Sequence, residues 1–207
     1  MTVSIDRVRG VEWAVATRSL PGETESGDLH LIAPFPGGLL VAAVDGLGHG
    51  PEAAAVARLA GATLEAHAGE PLARLLLRCH EALRGSRGAV MTVAMFREAD
   101  RLLTWQGVGN VEARLLWRGP DGRTMRRDLV THRGVVGGDF KSPRPGTHQL
   151  APSTLLILTT DGIERAFPED LPTGEPVQRL ADTVLARHAR QTDDALVLVV
   201  RFLGADR

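Results

Sequence analysis

The chain predicts an α+β sandwich of antiparallel sheets with helices packed outside, and three observations predict it. Short runs rich in Val, Leu, Ile and Thr follow one another between turn signals, and helical periodicity is confined to two places. Pro120-Asp121-Gly122, with an apolar run on each side, is a hairpin turn, which makes its flanking strands antiparallel. Strands in continuous meanders, with helices grouped rather than alternating with them, argue against a doubly wound sheet.

In chain order, strands are expected over 11–19, 29–33, 38–44, 89–96, 102–107, 111–117, 124–129, 154–160 and 195–202. A helix is predicted over 51–68, where Val56, Leu59, Ala60 and Leu64 keep helical spacing and Pro51 suits the first position, whose N–H has no partner. Leu72, Leu75, Leu76, Cys79 and Leu83 form a second amphipathic stripe, and a third helix spans 177–189. The Pro- and Gly-rich segments 134–147 and 167–176 are read as surface loops.

With 207 residues, 43% hydrophobic and 24% charged, the chain suits one domain over residues 1–207. The formal net charge is -1, with no overall basic field to concentrate nucleic acid or anionic lipid, so neither is an expected partner. The single cysteine, Cys79, forms no internal disulfide and builds no Cys-based zinc cluster; a reducing cytoplasm fits. Asp6, Arg7, Arg9 and Glu12 interrupt any apolar leader, and runs such as 39–44 are too short to span a bilayer, so a protein neither exported nor anchored is expected.

Four acidic sites share one context, a carboxylate at the tip of an apolar strand or just before one: Asp28, Asp45, Asp161 and the pair Asp193-Asp194. Charge at the rim of a core is unfavourable unless something offsets it, and a hard divalent cation would. Carboxylate, carbonyl and water oxygens favour Mg²⁺ or Mn²⁺ over zinc or copper. Two such ions about 3.5–4 Å apart acidify a bridging water and neutralise a phosphoryl oxygen during in-line attack. Either Asp-Gly pair alone also reads as a plain hairpin turn. Asp45-Gly46 runs on into Leu47-Gly48-His49-Gly50-Pro51, whose glycines let backbone bend close to a ligand before a helix opens, which a simple hairpin does not need.

Ser26-Gly27-Asp28, Asp45-Gly46-Leu47-Gly48-His49-Gly50, Thr159-Thr160-Asp161-Gly162 and Asp193-Asp194 before a final strand resemble, in order, the motifs of the metal-dependent protein phosphatases of type 2C. The likeness is to their bacterial branch of sporulation and sigma-factor-regulating serine phosphatases. Ser86-Arg87-Gly88-Ala89, Gly107-Val108-Gly109-Asn110-Val111 and the short length resemble the stressosome phosphatases of that branch.

The resemblance implies a four-layer α/β/β/α sandwich, two antiparallel sheets flanked by helices, with two Mn²⁺ or Mg²⁺ ions at one end between the sheets. It implies that Asp45 bridges both metals, that the Gly46 carbonyl binds one, and that Asp161 and Asp193 complete the other. Asp28 acts directly or through water, and Asp194 belongs to the metal site as a nearby hydrogen-bonding group. Asp45, His49 and Asp161 are the implied catalytic residues, with His49 assisting the leaving seryl oxygen, since an imidazole titrates near neutrality. The implied reaction is hydrolysis of phosphoserine or phosphothreonine by a metal-bridging water. The implied substrate is a phosphorylated regulatory protein, a stressosome scaffold or an anti-anti-sigma type.

One departure from the family pattern stands at Asp193-Asp194-Ala195-Leu196, where a hydroxyl residue is often found two places after the paired aspartates; its absence predicts weaker metal affinity.

Other residues have blander readings. Cys79 is a buried structural thiol, and His30, His67, His80, His132, His148 and His188 show no paired ligand spacing. Arg123, Arg126, Arg127, Lys141 and Arg144 are solvated charges first and candidate substrate contacts second. Gly107-Val108-Gly109 lacks the strand-to-helix context of a dinucleotide fingerprint. The competing functions are a hydrolase of small phosphate esters, a non-catalytic phosphatase-like binding module, and an ATP-binding kinase of the anti-sigma type. The kinase needs an Asn-bearing helix before Asp45, where 38–44 reads as a strand.

Overall fold

The computed structural model describes residues 6–8, 10–142, 144–165 and 171–204. The chain runs through β1 (Asp6–Val8), β2 (Val11–Arg18), β3 (Asp28–Phe35) and β4 (Gly38–Gly46) before the helices α1 (Gly50–Ala66) and α2 (Leu72–Ala82). A meander follows of β5 (Ala89–Arg97), β6 (Leu102–Val108), β7 (Glu112–Arg118), β8 (Thr124–Leu129), β9 (Gly146–Gln149) and β10 (Leu155–Thr159). Helix α3 (Val177–His188) and β11 (Ala195–Phe202) complete it.

The strands form a six-stranded sheet, ordered β1-β2-β11-β10-β7-β8, and a five-stranded sheet, ordered β3-β4-β5-β6-β9. All the pairings are antiparallel. Side chains of a strand alternate between faces, so a strand buried on both sides reads as a continuous apolar run. Strand β4 shows the result. Leu39, Val41 and Ala43 enter the core between the sheets, whereas Leu40, Ala42 and Val44 enter the core under α1 and α2. In β11, Leu196, Leu198 and Val200 face the inter-sheet core, and Ala195, Val197 and Val199 pack under α3. Three cores therefore fill the three spaces of an α/β/β/α sandwich, the architecture expected.

The second helical stripe holds: Leu72, Leu75, Leu76, Cys79 and Leu83 are all buried. Truncating Leu75 or Leu76 to Ala costs about 2–5 kcal/mol on the usual scale for such sites. The first stripe needs correction. Leu59 is 46% exposed, and α1 instead buries Ala53, Ala57, Ala60, Gly61 and Leu64. Small residues win there because α1 lies close on β3 and β4; a Cβ on Gly61 would stand 2.9 Å from the Leu29 Cδ2.

The expected loop 134–147 is also partly strand. Gly146 and Thr147 pair with Trp105 and Thr104 as the start of β9, and Val136 bridges to Ala89. Four residues rich in Gly and polar side chains carry little strand signal, and the free edge of β6 supplies the hydrogen-bonding partner. Strand β1 was likewise unforeseen. The expected loop 167–176 lies in part outside the described residues, which resume at Leu171. No described helix is long and apolar enough to cross a membrane.

Candidate metal centre

Antiparallel pairing brings the acidic strand tips to one end of the sandwich. Strand β3 starts where β4 finishes, with Asp28 directly opposite Asp45 in register. In the other sheet, β11 starts where β10 finishes, which puts Asp193-Asp194 beside Thr160 and Asp161; the Thr160 N–H donates to the Leu196 carbonyl at 3.2 Å. Strand phase then selects the face. Asp45 follows Val41 and Ala43 in step, and Thr160 follows Leu156 and Leu158, so these positions continue the inter-sheet core to its rim.

The carboxylates feel one another strongly. Burial pushes the Asp45 carboxyl up to about 8, helped by the charges of Asp161, Asp193 and Asp194. Asp28 is raised well above the ordinary range, first by burial and then by Asp45, against a bond from Thr160 that lowers it. Burial and Asp161 raise Asp193 as well. Like charges crowded at a partly buried site favour a bound proton or a bound cation, and the all-oxygen donor set suits a hard divalent ion.

The donors around the cluster are neutral. The Thr160 hydroxyl donates to Asp28 Oδ2 at 2.6 Å and accepts from the Leu196 N–H at 3.0 Å. The Asn110 amide donates to Asp161 Oδ2 at 2.7 Å. Neither Thr160 nor Asn110 was singled out by sequence reasoning, although both lie inside quoted motifs; Thr160 stands next to Asp161 in the chain, whereas Asn110 has no aspartate beside it and carries no such clue. Asp28 and Asp161 thus each have a fixed donor.

Asp194 is 3% exposed, and both its oxygens are engaged: Leu20 N–H donates to Oδ1 at 2.7 Å and Gly27 N–H to Oδ2 at 2.7 Å. It fastens the loop between β2 and β3 to the start of β11. Two close approaches complete the frame. A Cβ on Gly46 would collide with the Ala53 carbonyl, and one on Gly162 with the Asp194 carbonyl. Each Asp-Gly pair therefore needs its glycine to let backbone pass, which is more than a turn requires.

Among the described residues no three acidic, His or Cys side chains converge tightly enough to enclose an ion by themselves. A carbonyl such as that of Gly46 and several waters would have to complete the coordination. His49 sits at the N-cap of α1, with Nδ1 2.6 Å from Glu23 Oε1. Beside Asp161 opens a cavity of about 310 Å³ lined by Asn110, Glu112, Ile163, Arg165 and Arg190. Cys79 is fully buried, and burial pushes its thiol up to about 12, so it is inert as a nucleophile.

Comparison with known proteins places the fold. Phosphoserine phosphatase RsbX of Bacillus subtilis (strain 168) is 22% identical over 193 residues, 93% of this chain and 95% of that protein. The crystal structure of RsbX in complex with magnesium superposes with a TM-score of 0.82 at 21% identity, covering 97% of this chain and 99% of the other. A structure from work on the bacterial stressosome, described there as a modular system adapted to control secondary messenger signaling, also gives 0.82, at 27% identity over 92% of this chain and 99% of its own. The SiaA-PP2C domain of Pseudomonas aeruginosa gives 0.71 at 22% identity over 92% of this chain and 85% of its own. Residues 36–203 match the family model of stage II sporulation protein E (SpoIIE), and the chain belongs to that family of PP2C-type, metal-dependent serine/threonine phosphatases.

Proposed function

We propose that residues 1–207 form one phosphatase unit that hydrolyses phosphoserine or phosphothreonine on a regulatory protein, using two Mg²⁺ or Mn²⁺ ions. The observation that carries this reading is the convergence of Asp28, Asp45, Asp161 and Asp193 at one end between the sheets, with mutual repulsion and neutral donors around them. In this reading Asp45, the Gly46 carbonyl, Asp161 and Asp193 would hold the ions. Asp28 acts directly or through water, and Asp194 holds the loop that carries Gly27. Bound there, the ions acidify a water and neutralise a phosphoryl oxygen. The chain's own part is to orient: Thr160 fixes Asp28, Asn110 fixes Asp161, and His49 gives a proton to the departing seryl oxygen.

The similarity to RsbX and to the stressosome structure supports a substrate of the stressosome scaffold or anti-anti-sigma type. It also supports a cytoplasmic setting, where the buried Cys79 stays reduced. The test is release of phosphate from a small aryl phosphate with Mn²⁺ or Mg²⁺, comparing wild type with Asp45→Ala and Asp161→Ala. Metal-dependent turnover lost in both variants supports the reading. Folded wild type with no turnover under any divalent ion points instead to a binding module. Comparing kcat/KM for a phosphoserine protein and the aryl ester then separates a protein phosphatase from a small-ester hydrolase, because remote binding raises kcat/KM only for the former.

A further inference from the structure

Glu23 belongs to the loop between β2 and β3, which Asp194 clamps at Leu20 and at Gly27. Within it the Glu23 N–H donates to the Leu20 carbonyl at 3.0 Å, so the backbone under this carboxylate is fixed. The Glu23 side chain is 25% exposed and the His49 side chain 63% exposed: a half-buried carboxylate holds an exposed imidazole. His49 occupies the N-cap of α1 and yet makes no side-chain capping bond; its Nδ1 goes to Glu23.

Gly50 supplies a second, independent observation. Its φ is +71°, and a Cβ there would stand 2.6 Å from Glu23 Oε2. The last glycine of Gly48-His49-Gly50 thus makes the space that the Glu23 carboxylate fills, over the first turn of α1, where the helix dipole favours negative charge. His49 lies in the short connection between Gly46, at the tip of β4, and α1, and the Gly46 N–H donates to the Gly27 carbonyl at 3.0 Å, so the loop that carries Glu23 and the loop that carries His49 are joined beside Asp45.

We infer that Glu23 is a positioning residue that holds the His49 Nδ1–H and thereby commits Nε2–H to the leaving seryl oxygen. The inference rests on the phosphatase reading above and deepens it. A carboxylate on the far nitrogen fixes both the tautomer and the ring orientation of a catalytic imidazole. In the step, the water oxygen bonds to phosphorus as the bond from phosphorus to the seryl oxygen breaks. The Nε2 proton goes to the seryl oxygen, and one proton of the attacking water goes to solvent, from which the neutral imidazole is recharged. Free serine and inorganic phosphate leave.

The experiment measures kcat and KM for a phosphoserine peptide and for p-nitrophenyl phosphate, whose leaving group needs no proton. Wild type, Glu23→Gln, His49→Gln and the double variant are compared at saturating Mg²⁺. His49→Gln is expected to lower kcat on the peptide by about a hundredfold or more, the range of general acid catalysis. Glu23→Gln, of the same shape, should lower it about tenfold or more with little change in KM, and far less on the aryl ester. The double variant should be no worse than His49→Gln, because the two act as a unit. In metal-free protein, nitrogen-15 spectra should show a hydrogen-bonded His49 Nδ1–H that Glu23→Gln weakens. Equal losses on both substrates, an additive double variant, or a wild-type imidazole without that Nδ1–H would each overturn the inference. Wild type inactive on both substrates overturns the phosphatase reading itself, and the inference with it.

Discussion

Two acidic regions of the sandwich are treated in opposite ways. On β8, Asp128 meets Arg114 at 2.7 Å and Arg126 at 2.6 Å, and the hydrogen bond from Arg126 leads in holding its carboxyl below the usual range. At the strand tips, Asp28, Asp45 and Asp193 lie among other carboxylates, with hydroxyl and amide donors, and burial drives their carboxyls up. The fold has arginines to place and spends them on β8. What separates the regions is therefore arrangement, and a cation bound at the tip cluster would offset the repulsion there.

The largest expected effect is catalytic. Asp45→Ala or Asp161→Ala should reduce metal-dependent kcat by about a thousandfold or more, since metal ions supply several kcal/mol of charge stabilisation. Full activity in either variant, measured on an aryl phosphate, breaks the comparison at its functional end.

Next comes stability without metal. The Asp45 carboxyl titrates near 3.8 when unfolded and about 8 when folded. Between these values the folded state keeps a proton that the unfolded state has released, so stability falls as pH rises through that window and levels off above it. Thermal melts of chelator-treated protein should therefore drop as pH increases from about 4 to about 8. Asp45→Asn should flatten that slope and melt a few degrees higher than wild type at the upper end. Added Mg²⁺ should raise the melting temperature of wild type and leave Asp45→Asn nearly unmoved. A metal-free variant no more stable than wild type at that pH argues that the cluster carries no such penalty.

Smaller effects belong to the neutral donors. Asn110→Ala and Thr160→Val should weaken Mn²⁺ affinity by about 10–100-fold in calorimetry, the usual consequence of freeing a ligand from its partner. Smallest of all is Arg126→Gln on β8. It should shift stability by less than about 1 kcal/mol and leave aryl phosphate turnover intact, because that pair is largely exposed and Asp128 keeps Arg114. A strong loss of turnover there would mean that the charged surface of β7 and β8 takes part in the reaction after all.

Much of this was legible in the chain. Apolar runs with Asp at the tip named Asp28, Asp45, Asp161 and Asp193-Asp194, because a buried strand has to end where its side chains turn charged. Thr160 and Asn110 were not legible, since a hydroxyl or an amide acquires a role only when another strand presents a carboxylate to it, and those partners lie 132 and 51 residues away. Leu59 misled for a related reason. Helical spacing finds a stripe, but closeness to the sheet decides whether leucine or alanine lies under it.

The sequence by itself determined the strands of the meander other than β9, the three helices, the acidic set and the absence of a cysteine nucleophile. These follow from local periodicity and residue chemistry, which need no knowledge of distant neighbours. Tertiary structure alone decided the order of strands in the two sheets, the pairing of β9 with β6, the clamp of Asp194 on Leu20 and Gly27, and the meeting of Glu23 with His49. Each of these joins segments through hydrogen bonds whose strength is set by position, and position is a property of the packed chain.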